Sequence, residues 1–215
     1  MEIAILLYEG LTALDAIGPY EVLSRLPSAE VSFVAESPGT KRTDNHRLAL
    51  VADHALEDHP HPAIVLVPGG RGQEENMRDG ALHEWLRTAH ETSTWTTSVC
   101  TGSLILAAAG LLEGKRATSH WLALEALGRL GAQPSSERVV VDGKIVTAAG
   151  VSSGIDMALA LTAKIAGDDV ARAIQLAIEY DPQPPFDAGS PRTAPAATVE
   201  ALRRRTRFKD SAAAS

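Results

Sequence analysis

The chain has only one cysteine, Cys100, among its 215 residues. A single cysteine cannot form a disulfide within the chain, which excludes a disulfide-stapled scaffold and suits a reducing cytoplasm. Long apolar runs are also missing, since no stretch approaches the roughly 20 residues that a helix needs to cross a bilayer. Near the N-terminus, Glu2 stands where a secretory signal peptide would carry bases. We therefore expect a cytoplasmic protein with no membrane partner.

Basic charge is scarce as well. The chain has 20 Lys and Arg against 27 Asp and Glu, a net charge of −7, and no basic stripe dominates. A nucleic-acid partner is therefore not expected. The one basic cluster, residues 203–209, is interpreted as a solvated helix face in the C-terminal tail. His54, His59 and His61 share a polar loop, but without further cysteine or carboxylate ligands they do not make a metal site. We interpret them as surface residues and expect no metal and no organic cofactor.

Apolar residues make up 45% of the sequence, and the length is enough for one domain with its own core, residues 1–215. Apolar patterns that are typical of strands and of helices alternate along the chain. Strands are predicted at 2–9, 31–35, 63–67, 94–99, 138–141 and 145–148, with a short edge hairpin near 48–51. Helices are predicted at 80–91, 101–110, 123–130, 153–165, 169–179 and 196–208. This alternation predicts an α/β fold, a mostly parallel sheet with helices on both faces.

Three further segments carry local predictions. Because proline tolerates a helix start better than an interior, a turn is predicted at 12–17 and a helix from about Pro19. The proline-rich segment 181–195 is expected to be an ordered wrap or a partner contact. The short helix that follows it should end in a frayed tail, residues 211–215.

Cys100 stands where the predicted strand at 94–99 meets the helix at 101–110. Such a turn projects a side chain out of the end of a sheet and aims a helix N-terminus at it, which favours the thiolate. A nucleophile at this position and a small apolar core residue are both compatible with the pattern.

Two other strand ends carry chemical signals. Gly69-Gly70 follows a buried strand, and together with the Thr101 amide its N–H groups can stabilise negative charge on a substrate. The alternative is a tight turn. Asp15 lies in an apolar stretch, where burial would raise its pKa and let it pass a proton to the Cys100 sulfur. The alternative for Asp15 is a helix N-cap. His120, twenty positions after the cysteine, is either an assistant to the thiol or a partly buried histidine with another partner.

Several segments together resemble the DJ-1/PfpI superfamily, and within it the isocyanide (isonitrile) hydratases. The resemblance covers nearly the whole chain and includes segments 109–121, 154–156 and 179–191. Its most telling motifs are Leu14-Asp15-Ala16-Ile17-Gly18-Pro19, Val67-Pro68-Gly69-Gly70 and Ser98-Val99-Cys100-Thr101-Gly102-Ser103. The proline-rich segment is the most specific and favours the hydratase branch.

The resemblance implies a flavodoxin-like sandwich with Cys100 as the nucleophile on a strand–helix elbow, and a homodimer. It implies that Asp15 is the acidic partner of the sulfur and that Gly70 and Thr101 are backbone donors. His120 matches a histidine whose role varies among relatives. The implied activity is that of a carbon–nitrogen hydro-lyase, which converts a small-molecule isocyanide and water to an N-substituted formamide through a Cys100 thioimidate.

Three differences between this sequence and neighbouring branches of the superfamily narrow the functional interpretation. PfpI-type proteases place a histidine directly after the cysteine, where this chain has Thr101. No His-x-Glu follows Cys100, so the triad of class I glutamine amidotransferases cannot be built. DJ-1-like members usually carry glutamate in place of Asp15, whose shorter side chain implies a different proton geometry beside the sulfur.

Three alternatives stay open. One is a small-molecule sensor, because regulators of the AraC type carry a similar domain, although the roughly 20 residues after Pro195 leave no room for their DNA-binding module. Another is a redox stress protein whose Cys100 is oxidised. The third is a glyoxalase-like or other small-molecule enzyme on the same fold.

Overall fold

The computed structural model describes residues 1–208. The strands, in chain order, are β1 (Glu2–Leu6), β2 (Glu30–Ala35), β3 (Gly39–Arg42), β4 (Ala49–Ala52), β5 (His54–Ala55), β6 (Ile64–Val67), β7 (Trp95–Val99), β8 (Arg116–Ala117), β9 (Gln133–Pro134), β10 (Val139–Asp142) and β11 (Ile145–Ala148). The α-helices are α1 (Ala13–Leu23), α2 (Ala81–Thr92), α3 (Gly102–Ala108), α4 (Leu124–Arg129), α5 (Ser153–Ala166), α6 (Asp168–Ala177) and α7 (Ala196–Arg204).

Seven strands form the central sheet in the order β10-β11-β7-β6-β1-β2-β5. All neighbours are parallel except β10 and β11, the hairpin that Asp142-Gly143 predicts. Every residue of β6 and β11 is buried, and so are four of the five in β7. Strands buried on both faces need cover on both sides, which the surrounding helices supply. The predicted α/β class and mostly parallel sheet are confirmed.

The parallel order brings the carboxyl ends of β1, β6, β7 and β11 to one edge of the sheet. Val99 of β7 lies beside Ala148 of β11, and Ser98 beside Val67 of β6. The loops that follow these strands therefore meet, and they carry Cys100 and the two glycines after Pro68. Ligands of open α/β sheets bind at such an edge.

The turn predicted at 12–17 is wrong, because α1 begins at Ala13 and runs through Pro19. A proline inside a helix removes one backbone hydrogen bond and costs about 3 kcal/mol. The helix persists because Ala16, Val22 and Leu23 are fully buried, and burial of one large aliphatic side chain contributes about 1.5–3 kcal/mol. Tertiary packing outweighs the local signal.

Other differences are smaller. The 48–51 segment forms β4, which pairs with β3 in a separate two-stranded sheet rather than on the edge of the central one. The helix predicted to reach residue 208 ends at Arg204. Residues 181–195 contain neither helix nor strand and are mostly exposed. The predicted frayed tail, 211–215, lies outside the described residues. Among residues 1–208 no helix combines the length and apolar character that crossing a bilayer requires.

Candidate active site

Cys100 occupies a strained turn between β7 and α3. Its φ angle is +57°, a left-handed conformation that L residues adopt at a cost, often at functional sites. Its N–H donates to the carbonyls of Ala148 and Ala149, both at 3.0 Å. Its own carbonyl accepts the hydroxyls of Ser103 at 3.1 Å and Ser119 at 3.0 Å. These bonds from three segments hold the predicted elbow in place and leave the side chain only 6% exposed.

Asp15 sits in the first turn of α1 and is fully buried. The Gly69 N–H donates to its Oδ2 at 2.9 Å, while Oδ1 is buried with no hydrogen-bond partner among protein groups. The carboxyl is also hydrogen-bonded to the Cys100 side chain. The helix cap position belongs to Thr12, so the alternative of Asp15 as a cap is wrong. The structure brings together the sulfur and the acid that the sequence proposed as partners.

Burial changes the acidity of both groups. It raises the pKa of Asp15 to about 7, against the opposing effect of the hydrogen bonds from Gly69 and Cys100. It also raises the pKa of the Cys100 thiol to about 12, and the negative charge of Asp15 adds to this. The expectation that the helix N-terminus favours the thiolate is thus outweighed by burial and by the carboxylate. Near neutral pH the resting sulfur is a thiol beside an acid that is poised to give or take a proton.

Gly69 and Gly70 form a turn whose backbone lies very close to neighbouring segments of the chain. A Cβ on Gly69 would lie 2.5 Å from the Thr101 nitrogen, closer than real side chains come, and 3.0 Å from Asp15 Oδ2, a tight contact. The Gly70 N–H donates to Thr101 Oγ1 at 3.0 Å. The sequence predicted that the Gly70 N–H would be free to donate to a substrate. In the structure this N–H already donates to Thr101. The glycine pair serves as a tight turn that fixes Thr101 and Asp15.

Two backbone amides point at the sulfur, those of Thr101 and Val151, and each favours the thiolate. The sequence predicted the Thr101 amide as a donor to charge on a substrate rather than to the sulfur, and it gave no sign of Val151. Its φ angle is +34°, unusual for a β-branched residue. Val151 follows β11, and β11 lies directly beside β7. The hairpin was visible in the sequence, but its place next to the cysteine strand was not.

A cavity of about 930 Å³ is lined by Ser119, whose hydroxyl donates to the Cys100 carbonyl, and by Val151, whose amide points at the sulfur, but Cys100 itself does not line it. Its apolar walls include Trp121, Leu124 and Val139. The proline-rich segment closes another side with residues 189–192. That segment, expected to wrap the domain or meet a partner, contributes at least part of its length to this cavity.

His120 lines the same cavity and packs over Gly150. Its Nδ1 accepts a hydrogen bond from the Leu122 N–H at 3.3 Å. Burial lowers its pKa, and the charge of Arg207 lowers it further. A neutral imidazole with a backbone partner fits the second of the two interpretations, a partly buried histidine in the cavity wall.

The histidines at 54, 59 and 61 lie far along the chain from this cluster. His59 pairs with Glu2 at 2.5 Å, and its ring meets that of His54 edge-on. His54 and His59 are partly buried, so only His61 fits the surface interpretation. Within residues 1–208 no group of three His, Cys, Asp or Glu side chains is placed to hold a metal ion.

Comparisons with known proteins agree with this architecture. A sequence model of the DJ-1/PfpI family matches residues 1–164. The isonitrile hydratase of Pseudomonas putida is 44% identical over 95% of this chain and 90% of that protein. The transcriptional regulator CdhR of Pseudomonas aeruginosa is 40% identical over 73% of this chain, which spans 47% of the regulator. A THiJ/PfpI family protein from Pseudomonas syringae superposes with a TM-score of 0.91 at 38% identity, covering 94% of this chain and 84% of that one.

Proposed function

Since the chain belongs to the DJ-1/PfpI family, we propose that it is an isocyanide hydratase, an enzyme that adds water to an isocyanide and releases an N-substituted formamide. The match to an isonitrile hydratase over nearly the whole chain carries this proposal. The site supports it independently. The sulfur of Cys100 is paired with a buried carboxyl rather than an imidazole, and an isocyanide needs a proton on the carbon that the sulfur attacks.

The first step is addition of the thiol across the terminal carbon. Ionised Asp15 takes the thiol proton, and the Thr101 and Val151 amides stabilise the thiolate as it forms. The sulfur then bonds to the isocyanide carbon while protonated Asp15 delivers the same proton to that carbon. The carbon–nitrogen triple bond becomes a double bond, and the product is a covalent thioimidate with Asp15 ionised.

The second step is hydration of that intermediate. Asp15 takes a proton from water, the hydroxide bonds to the same carbon, and the nitrogen recovers the proton from Asp15. Collapse breaks the carbon–sulfur bond, and the hydroxyl proton passes to Asp15 and from there to the leaving sulfur, which restores the Cys100 thiol and the ionised carboxylate. One water is consumed and one formamide released, with no metal or redox partner in the balance. Each proton-transfer role is worth about 10²–10⁴ in rate in typical enzymes.

The cavity suits the remainder of the substrate. Its apolar side chains can surround an alkyl or aryl substituent, and burial of the elbow limits the entry of bulk water. Exclusion of solvent matters here because it keeps the pKa of Asp15 high enough to hold the proton.

Replacement of the sulfur tests the proposal. Wild-type protein mixed with an aryl isocyanide should produce the formamide, followed by NMR. Cys100→Ala and Cys100→Ser should lose turnover, because no nucleophile or a far weaker one remains, while circular dichroism shows that both stay folded. Full activity of Cys100→Ala would refute the cysteine mechanism, and no turnover by the wild type would refute the function.

A small-molecule sensor is the second candidate, favoured by the similarity to the regulator CdhR over 73% of this chain. The same experiment separates the two. A sensor would bind the isocyanide, seen by calorimetry, without releasing formamide.

We also propose that the protein works as a homodimer in a reducing compartment. Leu176 and Phe186 are large apolar side chains that are each 77% exposed, and we propose that they contribute to the interface between the two copies. The mechanism requires Cys100 as a thiol, which a reducing cytoplasm maintains.

A further inference from the structure

Arg207, three residues beyond the end of α7, reaches back to the loop that follows β6. Its Nη2 donates to the Gly70 carbonyl at 2.7 Å, and its Nη1 to the Arg71 carbonyl at 2.6 Å. Nη2 also contacts Gln73 Oε1. The guanidinium lies over the Phe208 ring, 4.9 Å from its centre. One side chain thus spans about 135 positions of sequence to clamp two successive carbonyls.

The clamped loop is the one that fixes the reactive groups. The Gly70 carbonyl that receives Arg207 also lies 3.4 Å from Thr101 Oγ1, and the Gly70 N–H donates to that same oxygen. The preceding N–H, that of Gly69, holds Asp15. Orientation of this short turn therefore decides where the acid stands and where the Thr101 amide points.

The guanidinium also acts on the site through its charge. The guanidinium interacts electrostatically with Tyr8 and Cys100. The negative charge that either group carries when ionised raises the pKa of Arg207 and so favours its charged form. Tyr8 is buried and donates its hydroxyl to the Pro68 carbonyl at 2.9 Å. The interaction acts in both directions, so the positive charge of Arg207 favours the thiolate form of Cys100. It thereby counteracts the negative charge of Asp15, which favours the thiol. The other charged groups that face Arg207 are Glu74 and Arg71, which have opposite signs. The charge of Arg207 also lowers the pKa of His120, which keeps that imidazole neutral.

We propose that Arg207 is a positioning residue of the active site, which holds the Gly70 turn against Thr101 and places the positive charge that favours the Cys100 thiolate. The assignment rests on the proposed hydratase function for its effect on turnover, but its effect on the thiol is independent of the substrate. Arg207 lies outside the segment that matches the family model, residues 1–164. Arg207 therefore belongs to the C-terminal segment, beyond the part of the chain that the family model describes.

The test compares Arg207→Gln and Arg207→Lys with Arg204→Gln, a matched control at the exposed end of α7. Alkylation of the only cysteine by iodoacetamide between pH 7 and 9 reports the thiolate fraction without any isocyanide. Arg207→Gln should alkylate about two- to fivefold more slowly, a modest change because the Arg207 side chain is exposed and its charge is screened by salt. Arg207→Lys keeps the charge and should alkylate close to the wild-type rate.

Turnover gives the second readout. Arg207→Gln should lower kcat/KM about tenfold, because small displacements of catalytic groups are costly. Arg207→Lys should fall between it and the wild type, since a lysine cannot clamp both carbonyls. All rates are measured below the melting transition of each variant. The proposal is overturned if Arg207→Gln matches Arg204→Gln in alkylation and kcat/KM, or if Arg207→Lys alkylates as slowly as Arg207→Gln. An inactive wild type would refute the hydratase function and leave the alkylation comparison valid.

Discussion

At the scale of single residues, Asp15 and Cys100 behave as one acid–base unit. Burial raises the pKa of both groups, and the charge of the carboxylate raises that of the thiol further. The unit holds two protons below about pH 7 and one proton above it. Because addition to the isocyanide begins when Asp15 takes the thiol proton, kcat/KM should rise with pH through about 7 and then level off.

Asp15→Asn should separate two effects of the carboxylate. Turnover should fall about 10²–10⁴-fold, because an amide cannot relay the proton. Alkylation of Cys100 at pH 8 should instead become faster, because the negative charge that raises the thiol pKa is gone. Asp53→Asn, an exposed site, serves as the control for both rates. Unchanged turnover in Asp15→Asn would mean that the carboxyl is only structural.

The same variant changes the pH dependence of stability. The pKa of Asp15 is raised in the folded state to about 7, so its contribution is fully present below the unfolded value near 4 and is lost as the pH rises through 7. A shift of about 3 units corresponds to roughly 4 kcal/mol. Asparagine does not ionise, so Asp15→Asn should gain free energy of unfolding relative to the wild type between pH 4 and 8. Urea unfolding at both pH values measures this, and parallel curves would contradict the buried ionisation.

At the scale of elements, the sequence predicted the parts whose signals are local. β7, α3 and the Asp142-Gly143 hairpin follow from β-branched, small and turn-forming residues, and all three lie within one or two residues of their predicted places. The passage of α1 through Pro19 was missed because burial against other helices decides it. Val151 and Arg207 were missed because their roles depend on strand order and on a tertiary contact, which no local pattern encodes.

The contact between α1 and α5 depends on small residues. A Cβ on Gly154 would lie 3.0 Å from Pro19 Cγ and 3.0 Å from Val99 Cγ2. Gly154→Ala should therefore push the helices apart and lower the free energy of unfolding by about 1–3 kcal/mol. Activity should fall too, since α1 carries Asp15. Gly189→Ala, where a Cβ would meet nothing within 4 Å, is the control for the free energy of unfolding only, because Gly189 lines the cavity. Equal urea midpoints for the two variants would show that the interface adapts.

At the scale of the whole molecule, the chain beyond the family match completes the site. The proline-rich segment forms one wall of the cavity, and the stretch after α7 supplies Arg207. The sheet edge carries the candidate reactive groups, and the C-terminal region lines the neighbouring cavity and reaches the Gly70 turn. The fold could be predicted from motifs, and so could the proximity of Cys100 and Asp15, whereas the cavity could not, because segments far apart in the sequence build it.

The exposed apolar side chains Leu176 and Phe186 are the candidate contacts of the proposed homodimer. Sedimentation at micromolar concentration should give twice the 22.7 kDa mass of the chain. Phe186→Ser should weaken association, because its side chain is 77% exposed on the proline-rich segment. Leu48→Ser, at a 47% exposed site beside β4, is the matched control and should leave association unchanged. A wild-type monomer under these conditions would contradict the dimer.

The burial of the Asp15 carboxyl beside the Cys100 sulfur has a consequence for the origin of the product's atoms. In the proposed mechanism this carboxyl is the group that carries the thiol hydrogen, and no part of it is exposed to bulk water. That hydrogen ends on the former isocyanide carbon and becomes the formyl hydrogen of the formamide. Between turnovers the hydrogen of the acid exchanges with solvent. Reaction in heavy water should therefore give a formamide that carries deuterium at its formyl carbon. The label would show that the formyl hydrogen comes from a group that exchanges with water, such as the Asp15 carboxyl or the Cys100 thiol.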